Sequence, residues 1–372
     1  MERLAGDEAA MRRGLQYDSS AGNAQLRESI AEWAYRKWPA ARVSADRMIL
    51  TAGSNQFLHL LADALFNPGD IVLAAAPTYF VYMGTLRAGG VNVVGVEADE
   101  AGMSIEALKS QLEHIEEAGH AGRVKAIYLV TEFDNPSGSS LSGTRRTELL
   151  DLVRRWNERH DRLLVISDAA YAELRYDGDD LPPLLAADDT DDFVIEAGTF
   201  SKSFSPGIRI GWGIVPGELV DPLLALKSGI DFGSPHFSQM LMDQVIRSGD
   251  LDRHLPTILD SYRGKRDCML ASLENHMAGI DGVHWRRPDG GLYVWLEIPE
   301  HVDASEGSDF YRRATEAGVS YVPGHHCFPQ GDAGGKSPPV KCNSMRLSFG
   351  VQDASGIDTG ISRLAEALEA SV

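Results

Sequence analysis

Apolar runs of strand length alternate with amphipathic stretches of helix length through the first two-thirds of the chain. Residues 47–51 predict a short strand, and the helical period of 54–66 that follows is stopped by Asn67-Pro68-Gly69-Asp70. The alternation continues with a strand at 71–75, a helix at 81–88 and a strand at 91–96. A strand at 126–130, a helix at 144–158 and strands at 163–167 and 193–197 complete it. Continuous apolar strands separated by helices predict a buried, mostly parallel sheet with helices on both faces, an α/β fold. From about Met242 the pattern changes. One long helical stretch, 243–273, leads to short strands at 283–287, 291–298 and 344–350 with a helix at 308–317. That reads as a smaller α+β domain closing over the first. The expected organisation is therefore an N-terminal segment 1–22, a large domain 23–241 and a small domain 242–372. The segment 331–339, Gly-Asp-Ala-Gly-Gly-Lys-Ser-Pro-Pro, reads as a mobile loop rather than a linker.

In open parallel sheets, ligands bind beyond the carboxyl ends of the strands, so that is where chemistry is expected. Polar groups fall there five times. Gly53-Ser54-Asn55 follows the first strand and opens a helix, and Tyr79 follows the second by way of Pro77-Thr78. Asn135 follows 126–130, and Asp168 and Tyr171 follow 163–167. The segment Thr199-Phe200-Ser201-Lys202-Ser203-Phe204-Ser205-Pro206-Gly207-Ile208-Arg209-Ile210-Gly211 follows the last.

Composition narrows the setting more than the chemistry. The chain has 372 residues, 43% of them hydrophobic, enough for a large core in two domains. A net charge of −19 without a Lys/Arg-rich run argues against nucleic acid or anionic membrane as a partner. Cys268, Cys327 and Cys342 are too few and too scattered for a disulfide framework or a CxxC metal knot, so a reducing cytoplasm is expected. The N-terminus lacks the basic start and apolar core of a signal peptide, and no apolar stretch reaches membrane-spanning length.

The Lys202 segment carries the sharpest chemical suggestion. A lysine among small hydroxyl residues can form an imine with an aldehyde, and an arginine returned by a Pro-Gly turn can hold a phosphate. Pyridoxal 5'-phosphate (PLP) is both an aldehyde and a phosphate ester and needs both at once. Each supporting residue also has an ordinary reading. Gly53-Ser54-Asn55 offers an anion the N–H groups of a helix start, or Ser54 is simply an N-cap. Asp168 could keep a pyridine nitrogen protonated, or be a strand-ending cap. Asn135, in Asp134-Asn135-Pro136-Ser137-Gly138, could donate to a ring phenolate oxygen or merely form a turn. Tyr79 could stack on a pyridine face or pack. Arg346, flanked by apolar residues in Asn343-Ser344-Met345-Arg346-Leu347-Ser348-Phe349, needs an anionic partner: a substrate carboxylate or a structural acid.

As one ordered set these residues resemble the fold-type I PLP-dependent aminotransferases of the class I/II superfamily, around the 2-aminoadipate/kynurenine and multi-substrate enzymes. The resemblance runs from about Leu15 to the C-terminus. Its most specific motif is Ser201-Lys202 with Pro206-Gly207-Ile208-Arg209-Ile210-Gly211, supported by the motifs around Asn135 and Arg346. It implies that Lys202 carries PLP as an imine and shuttles the proton, and that Asp168 pairs with the pyridine nitrogen. Asn135 and Tyr171 would bond the phenolate oxygen, and Tyr79 would stack on the ring. Ser54, Asn55, Thr199, Ser201 and Arg209 would bind the phosphate. Arg346, with Asn135, would grip the substrate carboxylate. It also implies that Tyr17, in Leu15-Gln16-Tyr17-Asp18-Ser19-Ser20-Ala21-Gly22, reaches the phosphate of a partner subunit in a homodimer with shared sites. The activity implied is transfer of an amino group from an L-amino acid to a 2-oxo acid.

Two departures leave other outcomes open. Relatives usually carry several dozen residues before the Gln-Tyr motif, including an arm over the substrate, and 14 residues precede Leu15 here. A more open pocket would favour a PLP-dependent lyase, synthase or oxidase on the same scaffold. A non-catalytic PLP-binding effector module is the reading from another class, but such modules normally follow a basic winged helix. The second departure is Pro323-Gly324-His325-His326-Cys327-Phe328, where relatives commonly have small residues. Adjacent residues in a loop rarely share one ion, so no metal is expected there. A substrate-facing histidine or plain structural residues are the alternatives.

Overall fold

The computed structural model describes residues 6–188 and 192–372. Eight strands form the principal sheet: β1 Met48–Thr51, β2 Ile71–Ala76, β3 Asn92–Asp99, β4 Gly102–Met103, β5 Val124–Val130, β6 Leu164–Asp168, β7 Val194–Thr199 and β8 Gly211–Ile214. Their order across the sheet is β1-β8-β7-β6-β5-β2-β3-β4. The β3-β2-β5-β6-β7 block is parallel, and β8 runs antiparallel between β7 and β1. All six residues of β2 (Ile-Val-Leu-Ala-Ala-Ala) and all five of β6 are buried, as a strand covered on both faces requires.

A second, antiparallel sheet lies beyond it in sequence. It comprises β9 His284–Trp285, β10 Tyr293–Glu297, β11 Val322–Pro323 and β12 Ser344–Ser348, in the order β11-β12-β10-β9. Trp295 of β10 and Val322 of β11 flank Arg346 of β12. The expected α/β architecture, with a mostly parallel sheet and a smaller α+β part, is thus the observed one.

Two expectations are corrected. The single helix at 243–273 is two helices, His236–Arg247 and Asp250–Met277. The break falls at Gly249, whose φ of 69° is left-handed backbone that glycine adopts without steric cost. The apolar period continues across that break, so the pattern alone does not reveal it. The loop at 331–339 is tied down. Gly331 N donates to Val93 O (2.8 Å), and Gly95 N donates to Ser337 Oγ (2.9 Å). Gln111 accepts from Lys336 N (2.8 Å) and donates to Lys336 O (2.5 Å). A composition of Gly, Ser and Pro here serves close backbone approach to β3. No helix among the described residues is long and apolar enough to cross a membrane.

Candidate active site

β1 ends at Thr51, and a left-handed Gly53 (φ 88°) turns the chain into the helix Ser54–Leu65. Gly53 rather than Ser54 is the N-cap, and no side chain caps this helix start. The first-turn N–H groups are left for another acceptor, and the helix dipole makes that acceptor an anion. Arg209 closes the same corner. It occupies left-handed backbone itself (φ 53°), and its Nη2 donates to Ala52 O (2.8 Å) while Nη1 reaches Pro206 O (3.2 Å) and Ser201 Oγ (3.4 Å). The guanidinium lies so close to Gly53 that a Cβ there would collide with it. No carboxylate pairs with Arg209 among the described residues. Thr199 Oγ1 lies 3.0 Å from both Ser201 Oγ and Ile210 O, and accepts Ser201 N–H at 3.1 Å. That hydroxyl fixes the turn between β7 and Lys202.

Lys202 Nζ makes no hydrogen bond or ion pair among the described residues and sits 6.0 Å from the centre of the Tyr171 ring. Asp168, the last residue of β6, is buried (3% exposed). It accepts from Tyr128 OH (3.0 Å) and from Ala170 N (3.2 Å). Burial pushes its carboxyl up to about 6, and the nearby Lys202 ammonium partly opposes the rise. A buried acid of this kind gains most from a cationic partner. Asn135, 3% exposed, bridges two expected site residues: its Nδ2 lies 3.4 Å from Tyr171 OH, and its Oδ1 accepts from Arg346 Nη1 at 2.8 Å. Tyr79 OH donates to Asn55 Oδ1 at 3.2 Å.

Arg346 projects from β12 onto the Tyr293 ring, with Cζ 4.2 Å from its centre, and 5.9 Å from that of Phe80. Among the described residues its Nε is buried without a hydrogen-bond partner. Its partner is therefore an amide rather than an acid, which leaves the charge available to an external carboxylate. The structure brings Ser54, Asn55, Tyr79, Asn135, Asp168, Tyr171, Thr199, Ser201, Lys202, Arg209 and Arg346 to one region. Tyr17 is apart from them, 87% exposed, with its ring 6.3 Å from that of Phe232.

Three contributors escaped the sequence reading. Tyr128 lies inside an apolar strand and holds Asp168, while Tyr293 and Phe80 flank Arg346. Only Tyr128 had a usable signal, a phenol in a buried strand that must find a partner.

Among the described residues, an uncapped helix start, a guanidinium without an acid, an unpaired lysine amine and a buried carboxyl near it are groups that could hold an anionic, carbonyl-bearing cofactor. The orphaned Arg346 Nε and the uncapped first turn show that the residues present fit PLP and an amino-acid carboxylate beside it. Residues 2–352 match the family model "Aminotransferase class I and II", and the chain belongs to that family. It is 35% identical over 355 residues to aromatic-amino-acid aminotransferase 1 of Thermococcus litoralis, covering 95% of this chain and 80% of that one. The multiple substrate aminotransferase of Thermococcus profundus superposes with a TM-score of 0.88 at 33% identity, over 100% of this chain and 86% of the other. The Pyrococcus horikoshii kynurenine aminotransferase, solved in complex with PMP, KYN and KYA, gives 0.88 at 31% identity with the same coverage. The chain is a PLP-dependent aminotransferase.

Proposed function

We propose that Lys202 is the residue that binds PLP covalently and moves the substrate proton, and that Arg346 selects amino and oxo acids by their α-carboxylate. The observation that carries this reading is the pair of unsatisfied cations, Lys202 Nζ and Arg346 Nε, on either side of the Tyr171–Asn135 bridge. When bound, PLP supplies an electron sink for the bond broken at Cα. Ser54, Asn55, Ser201 and Arg209 would hold its phosphate, with Thr199 fixing their turn. Asp168 would be the carboxylate for its ring nitrogen, Tyr79 would cover its face, and Asn135 and Tyr171 would serve its phenolate oxygen. Arg346 would orient the substrate so that the Cα–H bond faces Lys202, whose amine, once the substrate's amino group has displaced it from the cofactor, would take the proton as general base and return it as general acid.

The names of the relatives favour an aromatic or kynurenine-like L-amino acid as donor, and the aromatic rings of Tyr293 and Phe80 around Arg346 are compatible with one. We read the division at residues 22/23 and 241/242 as segment, large domain and small domain, supported by the separate membership of the two sheets. The exposed apolar group Leu15, Tyr17, Ile230 and Phe232 supports a homodimer in which Tyr17 serves the partner's site. Free thiols support a cytoplasmic enzyme.

Lys202→Ala tests the central assignment. The variant should lose the near-visible absorbance and the borohydride-trapped adduct of the PLP-loaded enzyme. Retention of both would place the covalent bond elsewhere. Addition of amino acid without an acceptor should accumulate pyridoxamine phosphate in the wild type, which separates transamination from elimination or oxidation.

A further inference from the structure

The His325-His326-Cys327 run does not enter the site described above as a set of three. Cys327 is fully buried against Ala76, Trp295 and Phe328, and burial pushes its thiol up to about 12. The two histidines are only partly buried. They sit in the 3-10 turn Gly324–Cys327, which sets the imidazoles side by side with ring centres 4.0 Å apart. The fold then adds a residue that the motif lacks. Glu306, in the loop ahead of the helix Asp309–Glu316, places Oε2 3.2 Å from His326 Nε2. One ligand atom from each of Glu306, His325 and His326 lies within 4.8 Å of the others. Among the described residues His325 Nδ1 is buried with no hydrogen-bond partner.

We propose that Glu306, His325 and His326 form a binding site for a divalent transition metal ion, with zinc the best-matched occupant. Two imidazoles and one carboxylate are a borderline-soft N/O set that suits zinc rather than magnesium or calcium. Bonds of about 2.0–2.2 Å to a tetrahedral ion place neighbouring ligand atoms about 3.3 Å apart. The observed 3.2 Å pair already meets that spacing, and the third atom closes by rotation of a partly exposed side chain. The objection that adjacent loop residues rarely share an ion is met by the turn, which brings both rings to one side. Water completes the coordination.

The site has a mechanical consequence. The metal would clamp the loop bearing Glu306 to the turn bearing Cys327, whose carbonyl accepts the N–H of Thr78 at 2.8 Å. Thr78 immediately precedes Tyr79, so the ion would brace the rim of the cofactor site without taking part in the chemistry.

The test uses the PLP-loaded enzyme. Zinc is titrated in competition with a chromophoric chelator, and bound metal is counted after gel filtration. Wild type should bind one zinc per subunit, and cobalt(II) should give the intense visible bands of a tetrahedral centre. His326→Ala and Glu306→Gln should each weaken zinc binding by at least roughly tenfold, with cofactor absorbance unchanged. Cys342→Ser, which removes an exposed competing thiol, should bind as wild type does. The proposal is overturned if wild type retains no zinc, if both site variants bind it with wild-type affinity, or if only Cys342→Ser abolishes it.

Discussion

Glu196 shows how much of the behaviour of one residue depends on where the fold puts it. On β7 it lines a cavity of about 390 Å³ together with Trp33, Tyr35, Glu132, Glu173 and Trp212. Tyr35 OH donates to its Oε1 at 2.5 Å, and its Oε2 has no partner. Burial raises the carboxyl from 4.5 to about 7. The folded state thus holds a proton that the unfolded chain releases, so this group lowers stability as pH rises from 4.5 through 7, and the full cost applies above 7. At about 1.4 kcal/mol per unit, that cost is at most about 3–4 kcal/mol. Glu196→Gln keeps an acceptor for Tyr35 and removes the charge. Its melting temperature should exceed that of wild type by a few degrees at pH 8, and the gain should shrink steadily toward pH 4.5. A gain independent of pH would show that the ionised carboxylate is not the source. Asp168 obeys the same physics with a different purpose: the burial that makes its charge costly also makes a cationic partner valuable.

At the scale of elements, the corner proposed to hold the phosphate depends on close approach of two backbones. β8 begins at Gly211, and a Cβ there would lie 2.5 Å from Gly53 C and 2.9 Å from Gly53 Cα, and would also strike Ser54 N. These are backbone atoms at the uncapped helix start, which cannot swing aside as a flexible side chain does. Gly211→Ala should therefore displace the turn that Arg209 also contacts, weakening PLP retention by roughly tenfold or more and destabilising the enzyme by about 1–3 kcal/mol. Equilibrium dialysis of PLP together with denaturant unfolding checks both. Unchanged cofactor affinity would separate β8 from phosphate binding. The Pro-Gly turn and Arg209 were legible as a motif. The need for glycine at 211 was not, because it arises from an element more than 150 residues earlier in the chain.

Over the whole molecule, the surface around Tyr17 is exposed among the described residues. Leu15 is 70% exposed, Tyr17 87% and Phe232 74%. Phe232 holds left-handed backbone (φ 55°) at the end of the helix Gly217–Asp231, an uncommon conformation for a bulky residue. Large aromatics held outward in this way fit an interface better than solvent. If the proposed homodimer forms, wild type should sediment as a dimer and the double variant Ile230→Asp/Phe232→Asp as a monomer, and the variant should lose PLP more readily if Tyr17 serves a partner's site. A dimer that persists in the double variant would move the interface elsewhere.

Local pattern determined the strands, the helices and the polar residues at the strand ends, because burial period and turn chemistry act over a few neighbouring positions. That was enough to name Lys202, Asp168, Asn135 and Arg209 as one set. It was not enough to separate Ser54 from its N-cap reading, or to find the break at Gly249, the tethering of 331–339, or Tyr128, Tyr293 and Phe80. Those depend on which distant backbone or side chain stands opposite, as Glu306 does for His325 and His326. Such pairings are set by packing of the whole chain, and no short-range period encodes them.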